Sequence, residues 1–120
     1  MHILIVEDEP LNLFMLKEFL RPSGIRIFHA GTGDDAVKLY QENQDIDLIL
    51  MDIRIPGMNG YTATREIRKS SKKIPIIAQT AYAMHEDKKK CLEAGCNDFL
   101  SKPLNKELLL QSIMKFLGPK

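Results

Sequence analysis

Glu7 and Asp8 follow the apolar run Ile3–Val6, and Asp52 follows Leu48–Met51. Thr80 closes the run that begins at Ile74, and Lys102-Pro103 follows the short segment Asp98–Leu100. Three carboxylates, a hydroxyl and an ammonium make a set with a definite chemistry. Clustered carboxylates repel one another, and a cation relieves the repulsion. Oxygen-only ligands on a partly open rim suit Mg²⁺, which keeps several waters and completes its shell with phosphate oxygens. A carboxylate beside Mg²⁺ can attack phosphorus and form an aspartyl phosphate. Phosphoryl transfer asks mostly for positioning and charge neutralisation. Mg²⁺, the Lys102 ammonium and the Thr80 hydroxyl can supply both.

Taken singly, each residue has an ordinary explanation. Asp8 can be the N-cap of a helix whose first turn holds Pro10. Glu7 and Glu9 can be solvated rim charges, Asp52 the start of a turn ahead of Pro56-Gly57, Thr80 a plain strand residue and Lys102 a surface lysine. The chemistry follows only if the fold brings these strand ends together.

The pattern of the chain predicts that it does. Apolar runs at Ile3–Val6, Ile25–Phe28, Leu48–Met51, Ile74–Ala78 and Asp98–Leu100 alternate with longer stretches of helical spacing. The helical stretches lie near 10–21, from Thr32 onward, near 60–70 and 84–94, and around Leu109, Ile113, Phe116 and Leu117. Thr32 and Asp35 form a capping-box-like start. Strands alternating with helices imply an α/β domain, a (βα)5 doubly wound parallel sheet with both faces covered. The first, third and fourth runs are nearly continuous apolar segments, as central strands should be. Ile25-Arg26-Ile27 alternates and the fifth run is short and half polar, which suits edges. The order 2-1-3-4-5 of the flavodoxin-like fold fits this pattern. Ligands of such sheets bind beyond the carboxyl ends of the strands, at the switch point between the first and third.

Composition bounds the remaining possibilities. The 120 residues, 44% of them apolar and 28% charged, suit one globular domain. Seventeen Lys and Arg against 16 Asp and Glu leave a net charge of +1, without the basic excess of a nucleic-acid binder. No apolar run approaches the ~18 residues of a membrane span, and Met1-His2 runs straight into Ile3–Val6 without a basic n-region or a small-residue cleavage site, so a secretory leader is not expected here. Cys91 and Cys96 lack zinc-ligand spacing and read as free thiols of a reducing compartment. A cytoplasmic protein is expected, with no direct nucleic-acid binding and no membrane association.

The motifs Val6-Glu7-Asp8-Glu9, Met51-Asp52-Ile53-Arg54-Ile55-Pro56-Gly57-Met58-Asn59-Gly60, Thr80-Ala81 and Leu100-Ser101-Lys102-Pro103, in this order and spacing, resemble those of response-regulator receiver domains. The resemblance covers the whole of residues 1–120 and implies one receiver domain with no output domain. It implies that Asp52 accepts a phosphoryl group from a phosphohistidine, and that Asp8, Asp52 and the backbone carbonyl of Arg54 hold Mg²⁺ with help from Glu7. Thr80 and Lys102 match the phosphate-sensing hydroxyl and the phosphate-site lysine, and Phe99 matches the switch aromatic. Arg54 and Tyr82 match positions that tune dephosphorylation. Stretches such as Asp8-Glu9-Pro10-Leu11-Asn12 look most like receivers of phosphorelays and hybrid histidine kinases. The partner implied is a histidine kinase or a histidine phosphotransfer protein, and the downstream target is unknown. Asn59 stands where Asp is common, Gly57 is expected to loosen its loop, and Phe99 replaces the commoner tyrosine.

Other readings meet specific obstacles. A haloacid-dehalogenase-type phosphatase needs DxD where this chain has Glu7-Asp8-Glu9, and room for a cap. A flavodoxin needs a Gly- and hydroxyl-rich phosphate loop where this chain is acidic. A receiver-like binding module that is never phosphorylated would not need the complete acceptor set.

The first helix carries one further signal. At about 100° per residue, Leu13, Leu16, Phe19 and Leu20 share an arc that should face the sheet. Phe14 falls on the opposite, polar side beside Lys17, Glu18 and Arg21. With Leu11 and Met15 it can form an apolar patch near the Asp52 rim, the kind of patch that marks a partner site. Lys88-Lys89-Lys90 reads as a solvated helix face.

Overall fold

The computed structural model describes residues 1–55, 57–80 and 85–117, apart from the side chains of Ser23, His85 and Glu86. Strands β1 (His2–Val6), β2 (Arg26–Ala30), β3 (Leu48–Asp52), β4 (Ile76–Thr80) and β5 (Asp98–Ser101) alternate with helices. The helices are α1 (Pro10–Leu20), α2 (Gly33–Glu42), α3 (Gly60–Ser70), α4 (His85–Ala94) and α5 (Lys106–Leu117). A 3-10 turn, Arg21–Ser23, follows α1. All strand pairs are parallel, in the order β2-β1-β3-β4-β5.

Burial explains the order. Every residue of β3 and β4 is buried, as is β1 from Ile3 onward, so these three strands face protein on both sides. Arg26 and His29 of β2 and Ser101 of β5 are exposed, as edge strands allow. Alternate residues feed two cores. Leu4, Val6, Ile49, Met51, Ile76 and Ala78 pack with Ala36, Tyr40, Ala63 and Ile67 of α2 and α3. Ile3, Ile5, Leu48, Leu50 and Ile77 pack with Leu16 and Leu20 of α1 and Leu109 and Ile113 of α5. Among the helical residues described, none forms a helix long and apolar enough to cross a membrane.

Two strands start later than their apolar runs suggest. The Ile74 amide donates to Ser71 Oγ at 3.2 Å, so Ile74 belongs to the turn after α3. Pro75 has no amide to give. Its carbonyl accepts from Ile49 N at 2.9 Å, and β4 pairing begins there and runs on to Thr80. At β2, Arg26 N reaches the Met1 carbonyl at 3.0 Å and Glu7 N reaches Ala30 O at 3.0 Å, which shifts the strand toward Ala30.

The cap of α1 also differs from the simplest reading. Glu9, not Asp8, is the N-cap, and its carboxylate accepts from Leu11 N at 3.2 Å and Asn12 N at 2.8 Å. Pro10 fills the first helical position, where its missing N–H costs nothing. Capping is thus done by the neighbour, and the Asp8 carboxylate is left to the sheet edge. Thr32 caps α2 as expected, accepting from Asp35 N at 3.1 Å. Helix α4 ends in a Schellman turn: Cys96 N donates to Cys91 O at 2.9 Å, Gly95 N donates to Leu92 O at 3.1 Å, and Gly95 sits at φ +114°. That turn tucks both cysteines, free thiols, into the core.

Candidate functional site

Three strand ends build the site. β1 delivers Glu7 and Asp8, β3 delivers Asp52, and the segment after β5 delivers Lys102. Among the described residues, Glu7, Asp8 and Asp52 bring one carboxylate oxygen each to within 4.8 Å of one another. Lys102 Nζ donates to Asp52 Oδ2 at 2.7 Å and to Glu7 Oε1 at 3.0 Å. Asp52 Oδ1 accepts from the Arg54 amide at 3.0 Å. Asp52 is 3% exposed and Glu7 1%, whereas Asp8 lies open at the rim. Glu7 is therefore no solvated rim charge; it forms the floor under Lys102.

The surrounding backbone holds this arrangement. The Lys102 amide donates to the Thr80 carbonyl at 2.8 Å, tying the lysine to the end of β4. The Lys102–Pro103 peptide bond is cis. Gly60 opens α3 against the end of β3, with its amide on Ile53 O at 3.0 Å. A Cβ on Gly60 would stand 2.5 Å from the Asp52 carbonyl oxygen, so only glycine lets α3 approach the acceptor strand this closely. Asn59 caps α3 by accepting from Thr62 N at 3.0 Å, a helix-capping task that Asn performs as well as Asp. Gly57 is no mere loosening of its loop: at φ +73° it makes a turn that other residues rarely adopt.

Electrostatics follow from burial and crowding. Burial pushes the Glu7 carboxyl above the ordinary carboxylate range; the Lys102 hydrogen bond opposes this, and the Asp52 charge adds to it. Burial pulls the Lys102 ammonium down, but its hydrogen bonds to Asp52 and Glu7 outweigh that pull and hold it above the usual lysine value. Three carboxylates share the neighbourhood of this single ammonium, so the pocket carries more negative charge than Lys102 neutralises. An oxygen-only donor set of this kind fits a hard divalent cation.

The remaining predicted residues fall around this centre. Thr80 is buried at the end of β4. Phe99 is half-buried on β5, opposite Ala78, and packs on the core shared by α2 and α3. Tyr82 and Ala81 lie outside the described residues. On α1, Leu16 and Leu20 are buried and Leu13 and Phe19 pack beside them, as the helical spacing requires. Leu11 is 69% exposed and Phe14 62%, with Met15 half-buried next to them. Lys88, Lys89 and Lys90 are exposed, as read. An open cleft of about 400 Å³ borders Asp8, lined also by Arg54, Asn59, Tyr61, Asp87 and Lys90.

Gln79 went unread in the sequence. It is the β-register partner of Asp52, 1% exposed, and neither side-chain polar atom has a protein partner among the described residues. A buried amide without partners costs about 1–3 kcal/mol per group. The signal was present: a polar amide next to the last residue of a strand that is otherwise apolar up to Thr80.

The family model described as the response regulator receiver domain matches residues 3–114. The chain belongs to the response-regulator receiver family. This receiver is 36% identical over 97% of its length to the sensor protein GacS of Pseudomonas syringae pv. syringae, of which it spans 13%. Among solved structures, it resembles the receiver domain of the sensor histidine kinase PA1611 from Pseudomonas aeruginosa PAO1, crystallised with a magnesium ion in the active-site cleft. That likeness has a TM-score of 0.89 and 42% identity over 98% of both chains. It also resembles the Saccharomyces cerevisiae Ssk1 receiver domain, solved with the histidine phosphotransfer protein Ypd1. Here the TM-score is 0.90, with 34% identity over 97% of this receiver and 88% of that chain. The fold is the flavodoxin-like receiver fold, and receiver domains are phosphoacceptor modules of phosphorelay signalling.

Proposed function

We propose that residues 1–120 form one cytoplasmic receiver domain that takes a phosphoryl group from the phosphohistidine of a kinase or histidine phosphotransfer protein onto Asp52. The single observation that carries this reading is the Asp52 carboxylate. It is buried, fixed by the Arg54 amide and the Lys102 ammonium, and grouped with two further carboxylates at the sheet's switch point. In the reaction an Asp52 oxygen forms the P–O bond while the donor's P–N bond breaks, and the bonding pair returns to the imidazole. The protein catalyses only its own phosphorylation and the later hydrolysis of the aspartyl phosphate. Transfer of acid-labile phosphate from a phosphorylated histidine phosphotransfer protein tests the reading; a donor that keeps its label contradicts it.

Asp8, Asp52 and the Arg54 carbonyl are the groups that would hold Mg²⁺, with Glu7 beneath them. The ion, when bound, neutralises charge on the incoming phosphoryl oxygens. Lys102, bonded to Asp52 Oδ2, would offer its ammonium to the same oxygens. The three clustered carboxylates also predict that Mg²⁺ stabilises the fold, by about 2.7 kcal/mol at a hundredfold excess over Kd. For Asp8→Asn, calorimetric titration should give much weaker Mg²⁺ binding and phosphorylation should fall in parallel. An unchanged Mg²⁺ titration would remove Asp8 from the metal site.

Leu11, Phe14 and Met15 are the proposed docking patch for the helical phosphodonor. Leu11 and Phe14 expose apolar surface on α1, the helix that starts two residues beyond Asp8. Phe14→Lys should slow transfer from the histidine protein by about tenfold or more, the loss of one well-buried aromatic anchor. Labelling by acetyl phosphate, which needs no docking, should be unchanged. Equal loss with both donors would make Phe14 structural, and no loss with either would put the docking face elsewhere.

Thr80 and Phe99 are the proposed switch. Phosphate on Asp52 gives the Thr80 hydroxyl a new acceptor, and Phe99, on the neighbouring strand, follows. The expected readout is amide shifts that reach α4, β5 and α5 when a phosphate mimic binds. Shifts confined to Glu7, Asp8 and Asp52 would contradict it.

A further inference from the structure

Gln79 and Lys102 line a small cavity that the phosphoacceptor reading does not use. On β4, Gln79 points to the same side as Ile77, toward α1 and α5, and its Cα is paired with that of Asp52 on the next strand. On the other side its register partner is Leu100, two residues before Lys102. Below the site a cavity of about 10 Å³ is lined by Gln79, Lys102, Asn12, Met15, Leu16 and Leu104. Both polar atoms of the Gln79 side chain are buried and have no protein partner among the described residues. A buried amide is kept in a fold when something satisfies it. The cavity has room for about one water, and its polar lining of Gln79, Asn12 and Lys102 offers the two to four partners that such a water needs.

An ammonium carries three donors. Two of those on Lys102 reach Asp52 and Glu7. We propose that Gln79 is a positioning residue: through one water held in this cavity it accepts the third hydrogen bond of Lys102 and so fixes Nζ beside Asp52. The role rests on the phosphoacceptor reading for its purpose and on the buried amide for its existence. Gln79 touches neither the phosphoryl group nor the metal ligands' open rim. It restrains a long, flexible side chain that otherwise has many rotamers to choose from. Its outer-shell hydrogen bond works as such bonds do around metal ligands, by narrowing the orientations of the group in contact with the reacting atoms.

The test compares wild type with Gln79→Met, which keeps length and apolar volume and drops both polar atoms. In ¹⁵N-resolved NMR of the unphosphorylated protein, the wild-type Lys102 ammonium should give an exchange-protected signal, and the Gln79 amide protons should show a cross-peak to a long-lived water. Both should disappear in Gln79→Met. The variant's melting temperature should stay close to the wild-type value, because Met fills the same volume and the water leaves together with the polar atoms, while labelling by acetyl phosphate slows by about tenfold. A variant that melts lower and labels at the wild-type rate would make Gln79 purely structural and overturn the proposal. So would a wild-type Lys102 signal without protection and no water cross-peak. Failure of wild type to label at all overturns the phosphoacceptor reading instead, and the NMR comparison still decides the role of Gln79.

Discussion

Asp52→Ala should take up no acid-labile phosphate from either acetyl phosphate or a histidine phosphotransfer protein. The loss is expected to be complete because no neighbouring carboxylate can replace this one. Glu7 is sealed beneath Lys102 at 1% exposure and carries a carboxyl that burial pushes toward the protonated form. Asp8 is open to solvent at the rim and has neither the Lys102 contact nor the Arg54 amide. Only Asp52 is held by both the Lys102 ammonium and the Arg54 amide, and a nucleophile must be held in line with its target. The variant should fold, since the change removes one of three crowded carboxylates. Labelling of Asp52→Ala at any substantial fraction of the wild-type rate would move the acceptor elsewhere.

Lys102→Ala should slow phosphorylation by about 10²–10³-fold, the usual effect of deleting one preorganised group that stabilises developing negative charge. The lysine reaches Asp52 at 2.7 Å and Glu7 at 3.0 Å, so its removal leaves two buried carboxylates facing each other. Mg²⁺ binding should survive and tighten, because the carboxylates lose their competing cation. That split between retained metal and lost rate separates a charge-stabilising lysine from one that merely holds the site together. Lys102→Arg keeps the charge with a different shape and should recover part of the rate. A Lys102→Ala variant that transfers at the wild-type rate would remove the lysine from the chemistry.

Much of this site was legible before any coordinates. The runs Ile3–Val6 and Leu48–Met51 are apolar on both faces, which suits central strands, and the order of the flavodoxin-like fold, with which that pattern is consistent, sets their acidic ends at its switch point. The helical spacing of α1 separated Leu16 and Leu20, now buried, from Phe14, now exposed. What stayed hidden depends on partners far away in sequence. The start of β4 is set by where Ile49 finds a carbonyl, not by where the apolar run begins. The choice of Glu9 over Asp8 as N-cap is a matter of where two carboxylates point once β1 has ended. The close approach of Gly60 to Asp52 and the isolation of Gln79 require the packed neighbours. Spacing along a chain reports which face a residue takes, and it is silent on what stands across from that face.

The most direct test is made on the unmodified protein. Incubation with acetyl phosphate and Mg²⁺, followed by intact-mass measurement and peptide mapping of the acid-labile product, should show a single phosphoryl group on Asp52. A parallel incubation with a chelator in place of Mg²⁺ should show almost none. A phosphoryl group mapped to any other residue, or one that forms equally well without Mg²⁺, would contradict the assignment of Asp52 as a metal-assisted phosphoacceptor.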